Sequence, residues 1–124
     1  MEKAKISPRF FKSAGFAKAA RKAHIGDEAL CMAIEQILQG QADDLGGGVF
    51  KKRLNDNRHR SILIAKVGGF WVFEYLFAKQ DRANIDNDEL EAFRALAKIY
   101  ERLTERQIAD LLATRKLLEI CNDE

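Results

Sequence analysis

The chain has 124 residues, of which 47% are hydrophobic and 32% are charged. This balance is typical of one globular domain with a modest core, so we expect a single domain over residues 1–124. No apolar run approaches the roughly 18 residues that a membrane-spanning helix needs, and we therefore expect no membrane partner.

The start of the chain and its two cysteines both bear on where in the cell the protein is located. The first 12 residues carry charges but lack the apolar stretch of a signal peptide. Cys31 and Cys121 are far apart and form no CxxC pair. We therefore expect two reduced thiols in a cytoplasmic protein.

The net charge of +2 is unevenly distributed along the chain. Residues 1–25 hold seven cations and one anion, and residues 49–82 hold eight cations and three anions. Residues 26–48, between them, hold five anions and no lysine or arginine. A concentrated positive surface attracts nucleic-acid phosphates, although ordinary surface charge gives the same count.

The first third of the chain predicts a short strand and two helices. Arg9–Ser13 is the candidate strand, and Gly15–Ala23 alternates small apolar with basic residues, as a short helix does. The second helix begins with Asp27 and Glu28, whose carboxylates suit the positive end of the helix dipole, and it ends at Gly40. Its apolar stripe consists of Leu30, Ile34, Ile37 and Leu38.

The middle of the chain predicts three strands, over Val49–Leu54, Arg60–Lys66 and Phe70–Ala78. A polar turn separates the first two, and the Gly68-Gly69 pair is a typical two-residue hairpin, so the three should form an antiparallel meander. With side chains alternating along the third strand, we expect one face of it to carry Trp71, Phe73, Tyr75 and Phe77.

Two helices are predicted after the strands. Asp86 with Glu89, and Thr104 with Gln107, both resemble capping boxes at helix starts. The element order is then strand, helix, helix, three strands, helix, helix. This order predicts an α+β domain, in which an N-terminal helix pair and C-terminal helices pack on a small antiparallel sheet.

The glycine run at 45–54, LGGGVFKKRL, raises the question of a phosphate-binding loop. A Walker A loop needs a serine or threonine after the lysine and a helix behind it, and neither is present. His24 and His59 stand far apart without metal-ligand spacing, and His24 is most simply a helix-end residue. We expect no metal and no cofactor.

The cations of the predicted strands are more informative. Alternation places Lys51 and Arg53 on one face of their strand and Lys52 on the other. Arg60 opens the next strand, and Lys79 closes the third. Cations beside aromatic rings suit single-stranded RNA, because charge binds phosphate and rings stack on bases. The alternative is a charged rim that prevents sheet edges from pairing.

Three stretches together resemble the RelE/ParE superfamily of bacterial toxins, in particular its RelE/HigB-like branch. They are LGGGVFKKRL, RHRSILIA and WVFEYLFAKQDRANIDNDEL, and the likeness runs from about Phe11 to Ile120. The resemblance implies a microbial-ribonuclease-like fold and a toxin that cleaves mRNA, usually in the ribosomal decoding site. It also implies a cognate antitoxin, which we expect to be of the helix-turn-helix type.

The resemblance also implies roles for individual residues. Lys51 and Arg53 match the basic pair of the family, Arg60 matches the strand-opening arginine, and Lys79 matches the basic residue that ends the last long strand. These four are the candidate catalytic residues. The candidate RNA-binding residues are Phe77, Tyr75, Arg58, His59 and Arg82.

The implied reaction is attack of a ribose 2′-OH on the neighbouring phosphate, giving a 2′,3′-cyclic phosphate and a 5′-OH. Arg53 and Arg60 would bind the scissile phosphate, Lys51 is the candidate base, and Lys79 is the candidate acid or a second phosphate clamp. Residues 55–60 form a shorter segment than in many relatives, and the cluster shows no evident carboxylate. Alternatives are a gyrase-inhibiting ParE-like toxin without nuclease activity and a non-catalytic relative that binds nucleic acid.

Overall fold

The computed structural model describes residues 8–66 and 69–121, in which an α+β fold combines four helices with a six-stranded sheet. The α+β prediction is confirmed. Gly68 of the predicted hairpin lies outside the described residues. The elements are β1 (Arg9–Ser13), α1 (Ala14–Lys22), α2 (Asp27–Leu38), β2 (Asp43–Gly46), β3 (Val49–Leu54), β4 (His59–Lys66), β5 (Phe70–Ala78), α3 (Asn87–Glu101), α4 (Glu105–Ala113) and β6 (Leu117–Ile120).

The strands lie in the order β2-β3-β4-β5-β1-β6. The run from β2 to β5 is antiparallel, whereas β1 runs parallel to β5 and antiparallel to β6. The predicted meander is therefore confirmed, and the sheet is larger than expected. None of the helices in the described ranges has the length and apolar character that crossing a membrane requires.

Two strands, β2 and β6, were missed by the sequence reasoning. β2 has the sequence DDLG and lies mostly exposed, so it has no apolar pattern of its own. β6 has the sequence LLEI, which favours a helix as much as a strand, and it becomes a strand by pairing with β1. The preceding helix ends without glycine, because Arg115 adopts the left-handed conformation at φ 60°.

Each face of the sheet is covered by one pair of helices. Phe16 of α1 and Leu30 of α2 pack with Leu63 of β4 on the side that we call the α1–α2 face. Ala97 of α3 and Ile108 of α4 belong to the core on the opposite side, the α3–α4 face. Because β4 is buried on both faces, it forms the centre of the domain.

Side-chain caps fix three of the helix starts. The Ser13 hydroxyl accepts from the Phe16 amide at the start of α1. Both predicted capping boxes are present, with Asp86 and Glu89 at α3 and Thr104 and Gln107 at α4. Each box satisfies amides that a helix start leaves without an intrahelical partner.

A β-bulge at Glu74 changes the facing of β5. Tyr75 pairs with Ile62 and Phe73 pairs with Leu63, so Glu74 is an additional residue on its strand. Its backbone carbonyl accepts from the Ser13 hydroxyl at 3.3 Å.

The bulge makes the prediction of four aromatics on one face wrong. Trp71 and Phe73 pack on the α1–α2 face, whereas Tyr75 and Phe77 pack on the α3–α4 face. Strict alternation holds only for an uninterrupted strand, and the additional residue reverses the facing of everything that follows it.

The expectation of two reduced thiols is also wrong. Cys31 of α2 and Cys121, directly after β6, form a disulfide with Cα atoms 5.6 Å apart. Their separation of 90 residues gave no sequence signal, and only the folded sheet brings the end of β6 to α2. The cysteines therefore no longer support a reducing compartment.

We predict that reducing the disulfide lowers the free energy of unfolding by about 2–4 kcal/mol, since the crosslink restricts the unfolded chain. Urea unfolding with and without a reductant measures this difference. The Cys31→Ser variant should match the reduced wild-type protein and should not respond to the reductant. Identical unfolding of wild type under both conditions would contradict the prediction.

Glu74 predicts a pH dependence of stability. Burial raises the pKa of its carboxyl, and the hydroxyl of Tyr100, which donates to Oε1 at 2.8 Å, offsets this only in part. A raised folded-state pKa means that the folded protein holds the proton more tightly. The stabilising contribution is complete below the ordinary value of 4.5 and is lost as the pH rises through the folded pKa.

We therefore expect Glu74→Gln to gain stability relative to wild type as the pH rises above about 4.5. Urea unfolding of both proteins across the pH range measures the trend. Glu89→Gln is the control, since Arg82 lowers the pKa of Glu89 and the trend should have the opposite sign. A difference between Glu74→Gln and wild type that does not change with pH would refute this assignment.

Candidate nucleic-acid interface

Three of the predicted catalytic cations share the α3–α4 face. Lys51 and Arg53 lie on the same face of β3 as Val49, and Arg53 pairs directly with Arg60 of β4. Lys52 lies on the opposite face, with Phe50 and Leu54. The predicted alternation of the three β3 cations is confirmed.

Arg60 is the least exposed of these cations, at 9%. Its Nη1 donates to the backbone carbonyls of Asn57 at 3.0 Å and His59 at 3.3 Å. Both acceptors are neutral, and among the described residues no carboxylate forms an ion pair with Arg60. A buried guanidinium without a counter-charge is costly, and it favours the arrival of an anion.

The structure adds a carboxylate that the sequence reasoning missed. Asp43 of β2 pairs across the strands with Lys51, and its Oδ2 lies 4.0 Å from Nζ. The view that the cluster lacks a carboxylate is therefore wrong. The available signal was the hairpin in ADDLGGGVFKK, where Leu45 and Val49 flank the glycines; β2 went unrecognised because it is acidic and exposed.

Three of the four candidate catalytic cations line two different cavities, and Arg60 is not among the residues that line either. One cavity, of about 350 Å³, is lined by Lys51, Lys52 and Arg53 together with the segment 40–43. A second cavity, of about 510 Å³, is lined by Lys79, directly after β5, together with residues of the β3–β4 turn. The Lys79 amide donates to the carbonyl of Arg58 at 2.9 Å, which holds Lys79 beside that turn. The structure thus brings Lys51, Arg53 and Arg60 together and leaves Lys79 next to them.

Phe77 has no open ring face. It is 6% exposed and packs against Val49 and Ile62. The Arg82 guanidinium carbon lies 5.5 Å from the centre of the Phe77 ring. The Arg82 guanidinium therefore covers part of a Phe77 side chain that is already buried.

Arg82 is itself held by three partners, one of which is the backbone carbonyl of Asn84, to which its Nε donates at 3.0 Å. It forms two hydrogen bonds with the carboxylate of Glu89, and its Nη1 donates to the Tyr75 hydroxyl at 3.2 Å. The hydrogen bonds from Arg82 lower the pKa of Glu89, and those to Glu89 raise the pKa of Arg82. Arg82, Tyr75 and Glu89 thus form one network over Phe77.

The glycine run is a hairpin turn that contacts α3. Gly46, Gly47 and Gly48 all have positive φ angles, between 68° and 86°. The guanidinium of Arg94 donates to the carbonyls of Leu45 and Gly46. The glycines therefore join β2 to β3 through backbone conformations of the left-handed region, which favours glycine, and a strand rather than a helix follows them. This geometry agrees with the exclusion of a Walker A loop.

Comparison with known families identifies the family to which this chain belongs. A family model described as the RelE toxin of the RelE / RelB toxin-antitoxin system matches residues 8–120. The chain belongs to the RelE toxin family. Membership implies a cognate antitoxin as partner. No curated protein and no solved structure matches the chain.

The described part of this RelE-family chain holds no group of three His, Cys, Asp or Glu side chains arranged to bind a metal ion. His24 ends α1 in the left-handed conformation, at φ 59°, as expected of a helix-end residue. His59 lies at the start of β4, where its Nδ1 is 3.1 Å from Nδ2 of Asn55.

The glycine turn gives a testable prediction with a matched control. A methyl group at Gly47 would lie 2.8 Å from Cγ of Arg94, at a backbone φ of 68°. We expect Gly47→Ala to destabilise the protein by more than about 1 kcal/mol. Gly15→Ala, in α1 with open space around it, should instead stabilise by roughly 0.4–1 kcal/mol. Thermal unfolding measures both effects, and equal changes would show that the turn does not constrain Gly47.

Proposed function

We propose that this RelE-family toxin is a metal-independent endoribonuclease that cleaves mRNA associated with the ribosome. The observation that carries the proposal is the buried Arg60 guanidinium, whose hydrogen bonds within the described residues go to neutral backbone oxygens, on a residue that pairs directly with Arg53. Two cations at one point of a sheet suit a phosphate, whose two unshared oxygens can each accept from a guanidinium. We expect products with a 2′,3′-cyclic phosphate and a 5′-OH.

In the proposed reaction the 2′ oxygen of a ribose forms a bond to the adjacent phosphorus while the bond to the 5′ oxygen breaks. Arg53 and Arg60 stabilise the charge that builds on the phosphoryl oxygens. Lys51 is one candidate to accept the proton of the 2′-OH. Asp43, whose carboxylate lies 4.0 Å from Lys51, is the second candidate. The 5′ oxygen takes up a proton from water as it leaves, and the base returns the 2′-OH proton to solvent.

Lys79 is better suited to holding a phosphate than to donating that proton. It lines a different cavity from Lys51 and Arg53, so one phosphate is not surrounded by all four cations. RNA that crosses from one cavity to the other would contact Lys79 at a phosphate beyond the cleaved one. In the conformation described, bases would stack on the Arg82 guanidinium rather than on Phe77.

The partners follow from the same surface. We propose that the antitoxin is a helix-turn-helix protein with an acidic segment that covers Lys51, Arg53 and the neighbouring cations. Such a segment matches the charge of the site and blocks access of RNA to Arg60. Since the substrate is mRNA on the ribosome, we place the active toxin in the cytoplasm.

The alternation of cations on β3 tests the proposal with a matched pair of variants. Lys51→Ala should lower the rate of cleavage of an mRNA bound to ribosomes by roughly 10²-fold or more, as the loss of a group that acts in the transition state does. Lys52→Ala removes the same charge from the next residue, which lines the same cavity but lies on the other face of β3, and it should lower the rate far less than Lys51→Ala. Both variants should melt near the wild-type temperature.

Equal losses in the two variants would mean that β3 contributes only general positive charge. Arrest of growth on induction should follow the same order, with the Lys52 variant toxic and the Lys51 variant harmless. Growth arrest accompanied by DNA breaks and intact RNA would instead favour a gyrase-inhibiting toxin.

A further inference from the structure

The cavity beside the β3–β4 turn has features of a built anion site. This cavity of about 510 Å³ is lined by two cations, Arg58 and Lys79, and by the imidazole of His59. Asp56 supplies a carboxylate in the same cavity, at 3.8 Å from Arg58, but that side chain is 93% exposed and the pair is correspondingly weak. Arg58 also donates to Asn55 through Nε and Nη2, which leaves its Nη1 for a ligand beside Lys79.

Backbone geometry holds this turn in one shape. Asn55, Asp56 and Asn57 have φ angles of 55°, 54° and 69°, a run of left-handed residues that asparagine and aspartate tolerate better than most. The amide of Arg58 donates to the carbonyl of Asn55 at 3.1 Å. The cavity wall is thus preformed, which lowers the entropy lost on binding.

The turn also determines the proton position on His59. Arg58 donates to the backbone oxygen of Asn55 through Nε and to its side-chain Oδ1 through Nη2. The side-chain Nδ2 of Asn55 is left to face Nδ1 of His59, at 3.1 Å. Because Nδ2 can only donate, Nδ1 accepts, and the neutral imidazole carries its proton on Nε2.

We propose that this cavity is a subsite for a second phosphodiester of the same single-stranded RNA. Arg58 and Lys79 bind the phosphate, and Nε2–H of His59 donates a hydrogen bond to the RNA. Asn55 is a positioning residue, since it acts through His59. The subsite rests on the proposed ribonuclease function, and it extends the site from one phosphate to two.

The buried guanidinium of Arg60 connects the two phosphate positions. Its Nη1 donates to the carbonyls of Asn57 and His59, and both residues line the cavity. The phosphate bound by Arg60 and the one bound by Arg58 would therefore lie on either side of the same stretch of backbone. When RNA fills the subsite, its neighbouring phosphate is placed at Arg53 and Arg60.

Binding of a 2′-O-methyl RNA oligonucleotide tests the subsite, since this probe lacks the attacking hydroxyl and is not cleaved. Fluorescence anisotropy over a range of salt concentrations gives the affinity and its salt dependence. Arg58→Gln and Lys79→Gln should each weaken binding several-fold and reduce the slope of log affinity against log salt by about 0.7. Arg106→Gln, an exposed charge on α4 near the β6 edge, is the control and should bind like wild type.

Unchanged affinity and slope in both cavity variants would overturn the subsite. This outcome is distinguishable from failure of the proposed function, which would appear as no cleavage of unmodified mRNA on ribosomes by the wild-type protein. Cleavage by wild type with no effect of either cavity variant on binding would leave the ribonuclease proposal intact and exclude the subsite alone.

The role of His59 has its own pair of variants. His59→Gln retains an N–H donor and should bind the oligonucleotide nearly as well as wild type, whereas His59→Leu should bind several-fold more weakly. Nitrogen-15 NMR of the imidazoles should show the proton of neutral His59 on Nε2, with His24 as the second histidine signal. Equal binding of the two variants, or a proton on Nδ1, would contradict the assignment.

Discussion

The arrangement of this domain depends on the bulge at Glu74. One additional residue in β5 directs Trp71 and Phe73 to the α1–α2 face and Tyr75 and Phe77 to the α3–α4 face. Without it, Tyr75 and Phe77 would leave the face that carries Arg53 and Arg60. The carbonyl and the carboxylate of Glu74 accept hydrogen bonds from β1 and α3, so these two elements hold the bulge in place. The sheet can therefore pack one aromatic pair on each face and still carry cations at one end.

The end of the sheet at the β3–β4 turn carries charged side chains that folding alone does not favour. Arg60 is buried without a carboxylate partner, and Arg53 lies opposite it across the strands. A more stable protein would pair or replace these groups. Their retention is what a site for an anionic substrate requires, since cations fixed before the substrate arrives need no reorganisation in the transition state. The core that is buried on both faces of β4 offsets the loss of stability that these unpaired cations cause.

Most elements could be predicted from the sequence because their signals are local. The two capping boxes, the apolar stripe of α2 and the alternation along β3 each depend on residues within a few positions of one another. What was missed depends on distant contacts. β6 is a strand because β1 lies beside it, Cys31 meets Cys121 only in the folded sheet, and the Glu74 bulge is visible only from the register of its partner strand. Asp43 was missed with β2 for the same reason.

The most direct test of the account is the chemistry of the ends that the purified protein produces when it cleaves an mRNA bound to ribosomes. The proposal predicts fragments with a 2′,3′-cyclic phosphate and a 5′-OH, and no cut where a single 2′-deoxynucleotide replaces the attacking ribose. Mass spectrometry of the fragments identifies both ends. Fragments with a 5′-phosphate, or a cut at the 2′-deoxynucleotide, would contradict phosphate activation by Arg53 and Arg60.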